Sequence, residues 1–541
     1  MVFGTVQPVM ALLLIAIVAR KLLKELFSDA RSNLSNIPGP ESRSWWKGHF
    51  GEAFHPDGWG FHEKIAKQFG SVIRLKSFMG ETQLYTFDPK AMSHIFVKDQ
   101  MIFEESSQFI EGNKLIFGEG LLSTLGEQHR KQRRMLNPVF SIAHLREMTP
   151  IFYEVAHRLE ATLLCKLKQG PQEIDMLEWM ARTAFEMIGQ AGLGYSFDLL
   201  KEDTEMHKYS RTVKELVPII FRMFFARNYL LPWAVKLGSP KFRRLLLNLF
   251  PWRDLHRARD MSDYMYALST EIFESKKRAL DKGSISLQTN EAGRGKDVIS
   301  VLIKANLSAQ TQDKLNEKEL LGQMSTLIFA AMDTTSGAMS RILQLLSVHP
   351  DVQRMLRKEI RHAIGDRTEL PYDELVALPY LDAVCRETLR LTRQDTVLPF
   401  STPVRGLDGT LMKEVVIPNN TNVIVSILNS NRNPAVWGPD ADEWKPERWL
   451  SPLPESVTDA RIPGVYSHLM TFNAGGRSCI GFKFAQLEMK AVISLLVRHF
   501  DFSPSDKKIK WQMNSIASPA VEDGGPRPQM PLAVALLSKS S

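Results

Sequence analysis

Residues 472–490 read FNAGGRSCIGFKFAQLEMK, a glycine-rich loop that carries one cysteine and runs straight into an apolar segment. After Gly481, apolar residues recur at Phe484, Leu487, Ala491 and Leu495, and again at Ala485, Met489, Val492 and Leu496. That spacing predicts a helix buried over a wide face. Cys479 then stands at the N-terminal end of this helix. Unpaired backbone N–H groups and the positive end of the helix dipole favour a thiolate there and can hydrogen-bond to it. Gly475, Gly476 and Gly481 let the backbone turn tightly and approach a flat partner closely. Arg477, two residues before the sulfur, can meet a carboxylate bidentately.

Cysteine is scarce in the 541 residues: Cys165, Cys385 and Cys479 are all there is. An odd number this small builds no disulfide framework and fits a reducing compartment. A lone thiolate without a second Cys or His nearby does not make a zinc or iron–sulfur centre, which needs several ligands. It does suffice as the one protein ligand of a haem iron. For a cysteine taken alone, a buried structural role is the alternative. The net charge of +8 is modest for this length and is not gathered into a nucleic-acid-binding tail. An acidic partner or an anionic membrane surface fits it better than nucleic acid.

The N-terminus reads as an address. Residues 1–19 contain no charged side chain, and as a helix they would reach about 28 Å, against roughly 30 Å for the hydrocarbon core of a bilayer. Arg20, Lys21 and Lys24 follow the apolar run instead of preceding it, which keeps the C-terminal side cytoplasmic and favours an uncleaved anchor over a cleaved signal. Ile37-Pro38-Gly39-Pro40 ends any helix and stiffens the exit. The expected organisation is therefore a transmembrane anchor over 1–19, a basic and proline-rich linker over 20–40, and one domain over 41–541. Helical periodicity dominates that domain, with short extended pieces at 72–75, 415–417 and 423–427, and surface loops at 283–296 and 522–528.

The loop spaced Phe472-x-x-Gly475-x-Arg477-x-Cys479-x-Gly481 resembles the haem-binding signature of the cytochrome P450 family, matched at all five defining positions. Four further strings follow the family's order. Asn316 and Glu319 read as a capped helix start, and the helix they open carries Ala330-Ala331-Met332-Asp333-Thr334-Thr335 in its middle. Mid-helix hydroxyls often bond back to a carbonyl one turn earlier. The string also resembles the family's oxygen-activation motif, which implies Thr334 beside the oxygen site and Asp333 in the proton-delivery path. Ala331 replaces the more common glycine. Glu387 and Arg390, three apart on one helical face among apolar neighbours, resemble the Glu-x-x-Arg element, and Pro446-Glu447-Arg448-Trp449 resembles the segment that joins it. Together they imply a structural Glu387, Arg390, Arg448 network behind the cysteine loop. His129 and Arg133, at i,i+4, resemble the pair that meets the haem propionates, and Arg405 resembles a further propionate ligand.

The resemblance implies a mainly α fold with a small β subdomain, holding haem b with Cys479 as axial thiolate. It implies a monooxygenase that takes electrons from NADPH through a separate flavin-containing reductase, with cytochrome b5 as a second candidate donor. Arg130, Lys131, Arg134, Lys483 and Lys490 would then gather on the sulfur side, where an acidic donor docks. Residues 216–233, apolar with Arg222 and Arg227 interspersed, read either as a membrane-facing substrate lid or as core helix. The implied substrate is lipophilic, a terpenoid or another secondary metabolite as in many fungal members. The implied location is the endoplasmic reticulum membrane, single-pass, with the catalytic domain facing the cytosol. A thiolate-haem isomerase or dehydratase working without external electrons is the competing class; such relatives tend to lose the acid–hydroxyl pair, which Asp333 and Thr334 supply here.

Overall fold

The computed structural model describes residues 33–202, 204, 206–281, 295–391, 404–418, 421–513, 516–525 and 527–537. The expected anchor at 1–19 and most of the loop expected at 283–296 lie outside them. Among the described residues no helix is long and apolar enough to cross a membrane.

A hairpin opens the fold, with β1 (Val72–Lys76) antiparallel to β2 (Thr82–Thr86) and Val72 opposite Thr86. α1 (Ser107–Phe117) begins where the Ser106 hydroxyl accepts from the Phe109 N–H, and α2 (Gly126–Leu136) and the long α3 (Ile142–Lys166) follow. β3 (Gln172–Asp175) leads into α4 (Met176–Met187), then α5 (Lys208–Arg222), α6 (Pro240–Leu249) and α7 (Arg253–Asp281). After α8 (Glu317–Val348) come α9 (Pro350–Ile364) and α10 (Pro379–Arg390). β4 (Val404–Arg405) and β5 (Leu411–Met412) form a small hairpin, and β6 (Val423–Val425) joins β2 in parallel. β7 (Gly464–Tyr466) pairs with β8 (Leu469–Ala474), which delivers the chain to α11 (Phe482–His499). β9 (Phe500–Pro504), the pair β10 (Ile509–Gln512) and β11 (Ser518–Val521), and β12 (Pro531–Leu536) complete it, β12 lying between β3 and β9.

Two sequence expectations are corrected here. Residues 415–417 form no strand; the middle strand β2 already has β1 on one edge and β6 on the other. Of 423–427 only Val423–Val425 is strand, because the Ser426 hydroxyl accepts from the Asn429 N–H at 3.2 Å and starts a helical turn at Ile427. Residues 522–525 form an exposed turn.

α8 is the axis of the molecule. Asn316 accepts from the Glu319 N–H at 3.0 Å while the Glu319 carboxylate accepts from the Asn316 N–H at 2.8 Å, a complete capping box. The helix runs 32 residues, about 48 Å at the α-helical rise, and packs against α4, α7, α10, α11 and β9. It is buried nearly all round, as a core helix must be when every neighbour offers apolar surface. Near its start it meets the loop after α1 closely: a Cβ on Gly322 would stand 2.5 Å from the Gly120 nitrogen, so both positions need glycine to let the backbones touch.

Behind the cysteine loop, Glu387 and Arg390 are both fully buried. Arg390 donates to Glu387 through Nε at 2.9 Å and Nη2 at 2.8 Å, and its remaining donors reach the carbonyls of Asn431, Ala441 and Glu443. Glu387 also accepts from the Trp449 indole at 2.9 Å, the Lys445 N–H at 3.1 Å and Arg448 Nε at 3.5 Å. Every polar atom of the pair is thus met, the condition under which buried charges are tolerated.

Candidate active site

The cysteine loop is shaped by close approach. Gly475 has φ +61°, and a Cβ on it would lie 1.6 Å from the Phe96 carbonyl oxygen, so no side chain fits. The Cys479 N–H donates to the Phe472 carbonyl at 2.8 Å and the Ser478 N–H to Gly475 at 3.1 Å, closing the loop just before α11. Gly481 differs from Gly475. Its φ of −88° suits any residue, and a Cβ there would meet no protein atom within 4 Å.

Cys479 has accessible surface yet is enclosed by protein, so that surface faces an internal cleft and not the bulk solvent. Burial pushes its thiol up, opposed by the Gly481 N–H and by the charge of Arg133. Helix-end electrostatics alone therefore does not win; a thiolate here needs a cation at the sulfur. Arg133, expected at a carboxylate, donates to the Ser478 carbonyl and to the Ser478 hydroxyl at 3.2 Å, which brings its charge to the cysteine.

His129, Arg133 and Arg477 form one electrostatic group. His129 is buried and its imidazole is pushed down to about 4, first by burial and then by the Arg477 and Arg133 charges. Burial also lowers both arginines, each further influenced by charged neighbours, with Glu105 and Glu104 acting oppositely on Arg477. Arg477 donates to the Thr124 carbonyl at 2.8 Å. Arg405 is exposed in β4 and makes no hydrogen bond or ion pair with this group among the described residues.

Sequence reasoning missed what holds this group in place. Gln128 and Gln132 of α2 both donate to the Glu319 carboxylate at 3.2 Å, and Gln132 also donates to the Glu119 carbonyl at 2.8 Å. The capping-box residue thus also ties α2 to α8. The i,i+4 spacing of Gln128 and Gln132 was the available signal.

In the middle of the otherwise buried α8, Ala330 and Thr334 are exposed one turn apart, on one face of the helix. The Thr334 hydroxyl donates to the Ala330 carbonyl at 2.7 Å. Its oxygen keeps lone pairs for an incoming donor. Asp333 is enclosed, and burial raises its carboxyl pKa against the lowering effect of Lys214 on α5. Ser210, one turn before Lys214, contacts Met332 Sδ at 3.4 Å and so fixes α5 against this stretch.

The expected basic face is corrected at one position. Lys490 is 1 % exposed, donating to Asp382 at 2.7 Å and the Val376 carbonyl at 2.8 Å, because α11 is covered on all sides by other helices. Arg130 and Arg134 are exposed, near Glu127 and Asp313. Residues 216–233 divide: Leu216 and Ile219 are buried, while Phe221, Leu230 and Trp233 are exposed, followed by Leu237, Phe242, Leu245, Leu249 and Phe250.

Comparison with known proteins matches this architecture. The cytochrome P450 family model covers residues 38–522. Cytochrome P450 monooxygenase 91 of Postia placenta is 50% identical over 527 residues, 96% of each chain. The ganoderic acid synthetase of Ganoderma lucidum is 44% identical, covering 94% of this chain and 95% of its own. A P450 monooxygenase of Hericium erinaceus is 39% identical over 94% of both. A family match across nine-tenths of the sequence and relatives at this identity leave one conclusion: the chain belongs to the cytochrome P450 family and is a haem-dependent monooxygenase.

Proposed function

We propose that this monooxygenase holds haem b through Cys479 and inserts one oxygen atom from O2 into a lipophilic secondary metabolite, a terpenoid being the favoured class. The carrying observation is the lone cysteine at the head of α11, enclosed by protein yet with accessible surface, together with the exposed Thr334 in the middle of the otherwise buried α8. The residues fit the cofactor on two independent counts. The space at Gly481 is required by no protein neighbour, which suits a flat group lying against the loop. The Arg133 and Arg477 charges oppose each other beside the buried, neutral His129, an arrangement that suits an anion with two carboxylates.

When bound, the haem supplies O2 binding and its reductive activation. Cys479 would hold the iron as a thiolate, the ligand type that favours O–O cleavage, with the Gly481 N–H and Arg133 stabilising its charge. His129 and Arg477 orient the carboxylates, and Arg405 is a further candidate for them. Burial favours the protonated form of the Asp333 carboxyl, opposed by Lys214, and Asp333 is the candidate source of a proton. The Thr334 oxygen accepts it through water, since its own O–H is committed to Ala330. Glu387, Arg390 and Arg448 keep the cysteine loop in register.

Electrons come from NADPH through a flavin reductase, with cytochrome b5 as an auxiliary donor. Residues 1–19 anchor the enzyme in the endoplasmic reticulum membrane, 20–40 link it, and 41–541 form the cytosolic catalytic domain. The exposed apolar residues from Phe221 to Phe250 support this orientation. The Phe50 and Phe224 rings pack 4.4 Å apart, so this surface adjoins the chain leaving the linker. The Ganoderma relative, named a ganoderic acid synthetase, supports a secondary metabolite as the substrate. The test is reconstitution with a reductase in microsomes under isotopically labelled O2 with a panel of lipophilic precursors. The expected result is an NADPH-dependent product carrying one labelled oxygen. Product formed equally without NADPH would instead establish an isomerase or dehydratase.

A further inference from the structure

The segment Ala226–Leu230 lays Arg227 onto α1. Its guanidinium carbon lies 6.0 Å from the centre of the Phe109 ring, and a Cβ on Gly112 would stand 2.8 Å from its Nε. Gly112 therefore provides the room that Arg227 occupies. Other arginines of the same region are paired: Arg222 with Asp254 at 2.9 Å, Arg257 with Glu215 at 2.9 Å, and Arg244 with Asp263. Arg227 is different. Among the described residues its side chain makes no hydrogen bond and no ion pair, although it is half-buried. Burial alone lowers its pKa, with no neighbouring carboxylate to oppose it.

A half-buried guanidinium with only an aromatic face for company is free to take a counter-charge. Its position says which anion can supply one. α1 ends at Phe117, whose ring packs 4.5 Å from that of Phe329 on α8, and Thr334 lies five residues further along α8. Helical rise puts Gly112 about 7.5 Å along α1 from Phe117 and Thr334 about 7.5 Å along α8 from Phe329, so the two helices that carry these residues meet at one ring pair.

We propose that Arg227 is a specificity-determining residue that binds the carboxylate of the substrate, and that the preferred substrates are lipophilic acids. The carboxylate lies bidentate on the guanidinium, and the apolar body extends along α1 towards Thr334. This proposal rests on the monooxygenase reading above and names its substrate class. An acidic lipid headgroup is the other anion available at such a surface, and it predicts a different outcome.

The test compares palmitic acid and a tricyclic resin acid with their methyl esters, using the full-length enzyme in detergent. Binding is read by the ligand-induced shift of the haem absorption band and, independently of the haem, by tryptophan fluorescence. The wild type binds each acid more tightly than its ester. Arg227→Gln weakens acid binding by about tenfold to a hundredfold, the range for a bond to a charged group, and leaves ester binding within about twofold. Arg227→Lys retains part of the preference, and Gly112→Ala, which displaces the guanidinium without removing its charge, lowers it. The reduced carbonyl spectrum of each variant reports folding. Equal affinity of the wild type for acid and ester, or equal loss of both in Arg227→Gln, overturns the proposal. So does an Arg227→Gln variant changed only in binding phosphatidylserine vesicles, which would make this residue a lipid contact. Failure of the monooxygenase reading would show separately, as a wild-type carbonyl spectrum without thiolate character.

Discussion

Thr334 has one donor and spends it on the Ala330 carbonyl, so its contribution to catalysis is its oxygen and the water that oxygen holds. Thr334→Ala should keep haem content and the carbonyl spectrum unchanged while product per NADPH falls about tenfold or more, with the missing electrons recovered as hydrogen peroxide. Paired product and peroxide assays decide this; a fully coupled Thr334→Ala enzyme removes Thr334 from the relay. At the cysteine the balance is electrostatic. Burial raises the Cys479 pKa and the Arg133 charge lowers it, so deleting that charge raises it further. In Arg133→Gln, acid titration of the reduced carbonyl complex should therefore convert the thiolate spectrum to the thiol spectrum at a higher pH than in the wild type. An unchanged midpoint would mean that Arg133 acts on the haem carboxylates alone.

Among the elements, what the sequence made legible was local. The loop of 472–481, the capping box of α8 and the Glu387–Arg390 pair each lie within ten residues, where spacing maps directly onto geometry. The contacts that assemble the site span the chain: Gln132 reaches Glu319 across 187 positions and Arg133 reaches Ser478 across 345. No periodicity encodes those. Lys490 shows the same limit, since a lysine on a helix reads as surface until the helix proves to be covered on all sides and Asp382 supplies its partner. The buried pair on α10 has the sharpest consequence. Glu387→Gln leaves Arg390 without its counter-charge at zero exposure, at a cost of about 3–5 kcal/mol, comparable to a large share of a typical domain's stability. Denaturant unfolding should show that loss, together with a reduced haem-loaded fraction on expression. A variant within about 0.5 kcal/mol of the wild type, the size of a typical surface substitution, would contradict the burial argument.

For the whole molecule, the exposed apolar residues between Phe221 and Phe250 lie together in the chain, with Trp233 57 % and Leu249 71 % exposed. Such a concentration on a folded surface marks an interaction face. A protein lacking residues 1–40 should still partition onto neutral lipid vesicles. Trp233→Ser with Leu249→Ser should weaken that partitioning about thirtyfold to several hundredfold, from roughly 1–2 kcal/mol of transfer free energy per side chain. Flotation assays measure it, and partitioning that vanishes with residues 1–40 alone would locate all membrane affinity in the anchor. The central claim is tested most directly at the sulfur. Reduced, carbonyl-saturated wild-type enzyme should show the red-shifted Soret band of thiolate ligation, and Cys479→Ala should lose it. A folded, haem-loaded wild type without that band, or a Cys479→Ala variant that keeps it, would contradict the account.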